Sequence, residues 1–171
     1  MQSRWLLYPT TGALLMLAVV APVPGAASDA ARAATHGMTD QAHAGIERTM
    51  AAYNAALNGG DTAAVLPLYT ETGVFMAPFS QSSIGRDAVR TAYDAVFAEL
   101  KFNVKFNIAE IMQMAPNWAF VRTNSAGTTL HHSTGRTTSE ANQELFILEK
   151  GHDGTWRIAR YSFSPTNPPA T

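Results

Sequence analysis

The chain has 171 residues, no cysteine, and 12 basic against 13 acidic side chains, a formal net charge of −1. The lack of Cys excludes a disulfide framework and a thiolate nucleophile, and no run of Lys or Arg forms the stripe that nucleic acid or an anionic membrane surface requires. Only 15% charged residues beside 46% hydrophobic ones instead suit a compact domain that holds a small molecule or a neighbouring subunit.

The first segment reads as a leader. Arg4 is the sole charge before Asp29, an apolar run spans Gly12 to Val23, and small residues follow through Ser28. That order predicts a secretory signal peptide over residues 1–27 and a secreted or periplasmic protein. The apolar run is shorter than the roughly 20 residues of a bilayer-spanning helix, so no permanent membrane span is expected.

Residues 28–39 are Ala-, Ser- and Thr-rich and are expected to form a flexible lead-in. From Asp40, the apolar residues Ile46, Met50, Tyr53 and Leu57 fall on one helical stripe. Asn58-Gly59-Gly60 stops that helix, and Asp61 caps a second one in which Pro67 should end the helix early. Gly73 to Met76 reads as a short strand and Ser80 to Ser83 as a loop. Gly85-Arg86-Asp87 opens a third helix with a stripe of Val89, Tyr93, Val96, Phe97 and Leu100. The period then changes to two: Phe102, Val104, Phe106 and Ile108 alternate with polar residues in a strand running towards Met114. Further strands are predicted over 118–129, 142–150 and 155–164, with 131–138 a turn or loose hairpin tip. Residues 165–171 form a Pro-rich tail in which Pro165, Pro168 and Pro169 oppose further pairing.

Three helices followed by long antiparallel strands make an α+β domain over residues 40–164. Leu145 and Ile147 place apolar groups on one face of a strand whose other face carries Phe146 and Leu148. One face can pack on the helices, and a second subunit is the simplest cover for the other.

Two stretches carry a family resemblance. MAAYNAALNGGDTAAVLPLYTETGVFMAP at Met50 to Pro78 and, near the end, Glu144-Leu145-Phe146-Ile147-Leu148 with Asp153-Gly154-Thr155-Trp156-Arg157-Ile158 and Tyr161 resemble the ketosteroid isomerase and SnoaL-like group of the nuclear transport factor 2-like superfamily. The resemblance covers roughly Ala44 to Ser164. It implies a cone-shaped fold of three N-terminal helices on a curved antiparallel sheet, one deep pocket, and a homodimer through the outer sheet face. Relatives carry out isomerisation, cyclisation, dehydration and epoxide opening without cofactors.

Tyr53 falls where the isomerase keeps a tyrosine that hydrogen-bonds a developing enolate oxygen; it is equally a buried ring of a helix stripe. The isomerase base is an aspartate directly before a proline, where this chain has Ala77 before Pro78. Its second acidic donor falls near Phe146. Steroid isomerisation by that route is therefore disfavoured. Glu144 is the acid best placed to substitute: on the inner face, burial would raise its pKa and make it a proton carrier. On an edge it would pair with Arg160 or Arg122. Arg160 is either that partner or an anion-holding group in the pocket. Strand phase and the resemblance together suggest a pocket lined by Tyr53, Phe75, Met76, Trp118 and Phe120, with Asn124 and Glu144 as polar points, for a small and mostly apolar ligand. His131-His132 point to opposite faces of an extended segment, so no metal site is expected. His132 with Glu140 or Glu144 is a remaining acid–base pairing. Two functions stand: a pocket that only binds a small ligand, and an acid–base enzyme acting on a small carbonyl or hydroxy compound.

Overall fold

A computed structural model describes residues 24–167, with side chains from residue 39 onward. The chain divides into two units at residues 35 and 36, and every element described below except the start of the first helix belongs to the second, His36–Thr171. The leader predicted over residues 1–27 lies, up to residue 23, outside the described residues.

Helix α1 (Pro24–Gly59) starts well before Asp40. The predicted lead-in 28–39 is therefore helical, and its abundant Ala, the best helix former, supplies the local reason. Further along, Ile46, Met50, Tyr53 and Leu57 are all buried on one stripe as predicted. Gly60, at φ 64°, takes the left-handed conformation that ends the helix. Asp61 Oδ1 then accepts from the Ala64 amide at 3.0 Å, capping α2 (Thr62–Val65). Pro67 limits α2 to one turn, which tightens into a 3₁₀ turn at Leu66–Leu68.

The remaining elements are β1 (Tyr69–Met76), β2 (Ser83–Ile84), α3 (Arg86–Glu99), β3 (Leu100–Ala115), β4 (Trp118–His131), β5 (Thr137–Lys150) and β6 (Trp156–Pro165). β1 is longer than predicted, and β2 uses part of the expected Ser80–Ser83 loop. The β4–β5 hairpin also keeps pairing up to Leu130 and Thr137, so the predicted loose tip shrinks. Nor does Pro165 end the pairing: it lies opposite Asn142, and the Thr166 amide still donates to Ala141 at 2.9 Å.

The six strands form one sheet in the order β2-β1-β6-β5-β4-β3. β1 runs parallel to β6, and every other neighbour is antiparallel. Three helices on this curved, mostly antiparallel sheet make the cone-shaped α+β fold. Two asparagines seal one side of the cone. β3 is an edge strand whose backbone groups need partners. Asn58 accepts from Val104 N at 2.9 Å and donates to Val104 O at 2.8 Å, while Asn54 donates to the same carbonyl at 2.9 Å. Opposite Val104 stands Gly127, where a Cβ would meet Asn103 O at 2.1 Å. Only glycine allows β3 and β4 to approach so closely there.

Candidate functional site

The concave side of the sheet faces α1 and α3 across a cavity of about 150 Å³. Its helical wall carries Tyr53 from α1 and Tyr93 from α3. Its β1 and β6 wall carries Phe75, Tyr161 and Phe163, whose rings lie within 22° of parallel. Phe102, Val104 and Phe106 of β3 add an apolar side, and one polar patch remains. Ser125 of β4 and Glu140, Asn142 and Glu144 of β5 line it. The three β5 residues alternate along the strand and so share one face.

Three buried phenols form a chain at the helical wall. Tyr93 Oη lies 2.7 Å from Tyr53 Oη and 2.9 Å from Tyr69 Oη. Burial holds all three phenols well above their ordinary pKa. They are neutral hydrogen-bonding groups at any physiological pH. The Tyr53 ring also meets Phe106, Phe146 and Tyr161 edge to face, at centroid distances of 5.5 to 5.7 Å.

Glu144 is 4% exposed. The Thr123 hydroxyl donates to its Oε2 at 2.5 Å, and its Oε1 is buried with no hydrogen-bond partner. Burial raises its pKa; nearby Ser125 and Thr123 hydroxyls oppose that rise, and the Glu140 carboxylate adds to it. Only the Thr123 contact closes to a hydrogen bond. Neither candidate cation reaches it. Arg122 pairs with Glu110 at 2.7 Å on the other face, and Arg160 donates to the carbonyls of Ala159 at 2.6 Å and Thr72 at 3.4 Å. Beside Glu144, Asn142 donates to Glu140 Oε1 at 2.8 Å, and the Thr129 hydroxyl donates to Glu140 Oε2 at 3.1 Å.

Of the residues singled out in the sequence, the structure brings Tyr53, Phe75 and Glu144 to the cavity. It does not bring Met76, Trp118, Phe120, Asn124 or Arg160. On β4 the correction is one of phase. Ala119, Val121, Thr123 and Ser125 are the buried, inward residues, which places Trp118, Phe120 and Asn124 on the outer face. Small side chains occupy the inside because α1 and the aromatic cluster leave no room for large ones. Arg160 is displaced by a β-bulge. Ile147 pairs with Arg160 but Leu148 with Ile158, so the extra residue Ala159 shifts the alternation. Tyr161 then faces inward and Arg160 is exposed.

His132 does not join Glu140 or Glu144. Its amide donates to Glu99 O at 2.8 Å, while His131 meets Thr138 Oγ1 at 3.1 Å. Among the described residues no cluster of three or more His, Asp or Glu is placed to hold a metal ion, and no helix is long and apolar enough to cross a membrane.

The sequence reading missed Tyr69 and Tyr93 as partners of Tyr53, because phenols on three separate elements carry no local spacing signal. It also missed Asn142 and Ser125. The run Glu140, Asn142, Glu144 at period two, leading into buried Phe146 and Leu148, was the available sign that one inner face turns from apolar to polar.

The SnoaL-like domain profile matches residues 50–161. The solved structure of a ketosteroid isomerase-like protein from Erwinia carotovora atroseptica SCRI1043 is similar at 39% identity, covering 73% of this chain and 96% of that one, with a TM-score of 0.71. A conserved protein from Planctomyces limnophilus DSM 3776 is 19% identical over 72% and 96% of the two chains, TM-score 0.64. A scytalone dehydratase candidate from Novosphingobium aromaticivorans DSM 12444 is 17% identical over 77% and 89%, TM-score 0.67. These two bear on the fold alone. No curated protein matches the chain significantly. The profile match across most of the domain, together with the 39% identical relative of the same cone fold, establishes that the chain belongs to the SnoaL-like family of ketosteroid isomerase-like proteins.

Proposed function

We propose that the cavity binds a small, mostly apolar carbonyl or hydroxy compound and that the protein performs cofactor-free acid–base chemistry on it, with Glu144 moving the proton. The observation that carries this is Glu144 itself. A carboxyl buried without a cation, with one oxygen unpaired beside a cavity and its pKa raised by that burial, is costly to the fold and suited to proton transfer. Tyr53 complements it. If Tyr69 donates to Tyr93 and Tyr93 to Tyr53, the Tyr53 proton is free for an oxygen in the cavity. The opposite direction would leave the Tyr69 proton pointing away from the cavity. A phenol so placed stabilises negative charge developing on a substrate oxygen while Glu144 takes a proton from the neighbouring carbon or hydroxyl.

The test is proton exchange. The protein is incubated in D₂O with small cyclic ketones and phenols, and loss of C–H signal is followed by NMR. Glu144→Gln keeps the shape and is expected to slow exchange by about 10²–10⁴-fold, the usual contribution of a general base. Equal exchange in the variant, with folding unchanged, removes the role from Glu144. A second reading, binding without turnover, is favoured by Ala77, which stands where the isomerase base would be. It predicts saturable binding and no exchange in either protein.

The outer face carries Met112, Phe120 and Ile147 in line across β3, β4 and β5, with Leu145 42% exposed beside them. We take this face to meet a second copy of the chain, which native mass spectrometry tests as a dimer. The segment 1–27 is the basis for placing the protein outside the cytoplasm, and cell fractionation tests it.

A further inference from the structure

We propose that the ligand this cavity is built for is a single aromatic ring bearing two hydroxyl groups, one held by Asn142 Oδ1 and the other by Glu144 Oε1. The proposal rests on the cavity being a binding site and adds what it selects.

Size comes first. About 150 Å³ is the volume of a closed apolar cavity that accepts one benzene ring, so fused polycycles are too large for its enclosed part. Shape agrees, since the near-parallel rings of Phe75, Tyr161 and Phe163 offer flat faces for a flat guest.

The polar wall supplies the two anchors. Asn142 is 8% exposed and Glu144 4%, and Asn142 Oδ1 and Glu144 Oε1 are buried acceptors with no partner. Such atoms are rare in folded proteins and mark places where a ligand or water completes the bonding. The orientation of the Asn142 amide is fixed by its neighbours. Glu140 accepts from Nδ2 at 2.8 Å with one oxygen and from Thr129 at 3.1 Å with the other. A carboxylate can only accept, so the amide NH₂ must face Glu140 and Oδ1 is left over. Asn142 Oδ1 therefore asks for a donor. Glu144 Oε1 suits a hydroxyl in either state, because a hydroxyl donates to a carboxylate and accepts from a protonated carboxyl. An ether oxygen cannot donate, so it satisfies neither Asn142 Oδ1 nor an ionised Glu144.

Asn142 and Glu144 are two residues apart on one strand face, about 6.6 Å along the strand. A single hydroxyl carries one proton and cannot donate to both acceptors, so the two anchors take two hydroxyls.

The experiment measures affinities of the full chain for resorcinol, hydroquinone, catechol, phenol, 1,3-dimethoxybenzene and benzylamine, by calorimetry and ligand-observed NMR. At least one of resorcinol, hydroquinone and catechol is expected to bind about tenfold tighter than phenol, the worth of one added hydrogen bond. Methylating both hydroxyls should abolish that advantage, and Asn142→Leu should reduce it. The ligand series stands by itself should the variant fail to fold. Binding of every dihydroxybenzene no tighter than phenol would overturn the two-anchor reading, and preference for benzylamine would show a site for a cation. Equal binding of dimethoxybenzene would overturn hydroxyl recognition while leaving a working cavity. If no ring binds, the binding-site reading fails along with the proposal.

Discussion

Replacing Tyr93 by Phe tests the phenol chain directly. The Tyr93 hydroxyl is the hub, 2.7 Å from Tyr53 and 2.9 Å from Tyr69, and all three residues are fully buried. Tyr93→Phe keeps the ring and its stacking on Phe75 at 4.9 Å but strands two hydroxyls at once. A buried polar group left unpaired costs about 1–3 kcal/mol. Tyr53 borders the cavity and falls at the low end, whereas Tyr69 does not, so the sum is about 2–4 kcal/mol. For a domain of this size that lowers Tm by roughly 6–16 °C. Tyr69→Phe leaves Tyr93 bonded to Tyr53 and should cost only about 1 kcal/mol. The triple variant with Phe at positions 53, 69 and 93 removes all three hydroxyls of the chain together and should recover most of the loss. Urea denaturation of the four proteins gives the comparison, with unchanged m-values as the check that the unfolded state is unaffected. If Tyr93→Phe costs no more than Tyr69→Phe, or the triple variant is less stable than Tyr93→Phe, the three phenols do not act as a chain.

Three other outcomes follow. The Glu144 carboxyl is raised by burial above its ordinary 4.5, so the native state holds that proton to higher pH than the unfolded chain. Native stability should fall as pH rises from 4.5 through the raised value, and Glu144→Gln should lack that loss, gaining on the wild type over the same interval in urea titrations at stepped pH. Gly127→Ala forces a Cβ to within 2.1 Å of Asn103 O and 2.8 Å of Val104 Cα; because both are backbone, the variant should lose about 1–3 kcal/mol or more and show faster amide exchange in β3. Arg160→Ala should leave ligand affinity unchanged, since the guanidinium reaches carbonyls away from the cavity; a clear loss of affinity by calorimetry would return Arg160 to the site.

Local patterns told the fold well where one signal dominated. The stripe Ile46, Met50, Tyr53, Leu57 and the turn signals at Gly60 and Pro67 act through neighbouring residues alone, and they placed the buried face and end of α1 and the early end of α2 correctly, although not the start of α1. Side-chain phase on the long strands was harder. Trp118 and Phe120 look like core residues by size, yet the inside of a strongly curved sheet is crowded, and Ala119 and Val121 are what fit. At Arg160 a single extra residue in β6 reversed the faces, and no local residue type announces such a bulge. Glu144 was legible because Phe146 and Leu148 share its face and fix its direction. Its lack of a cation was not, since that depends on Arg122 finding Glu110 across the β3–β4 pair. The phenol chain joins residues 53, 69 and 93, which only the folded chain brings together.

The most direct test of the account is a ¹³C NMR titration of the Glu144 side-chain carboxyl in the native protein. The account predicts a midpoint above 4.5, which moves again when a dihydroxybenzene is added, because a buried carboxyl with one free oxygen must both resist ionisation and sense an occupant. A midpoint at or below 4.5, unmoved by any ring compound, would mean that Glu144 is solvated or paired in solution, and the assignment of this cavity as a proton-transfer site would be wrong.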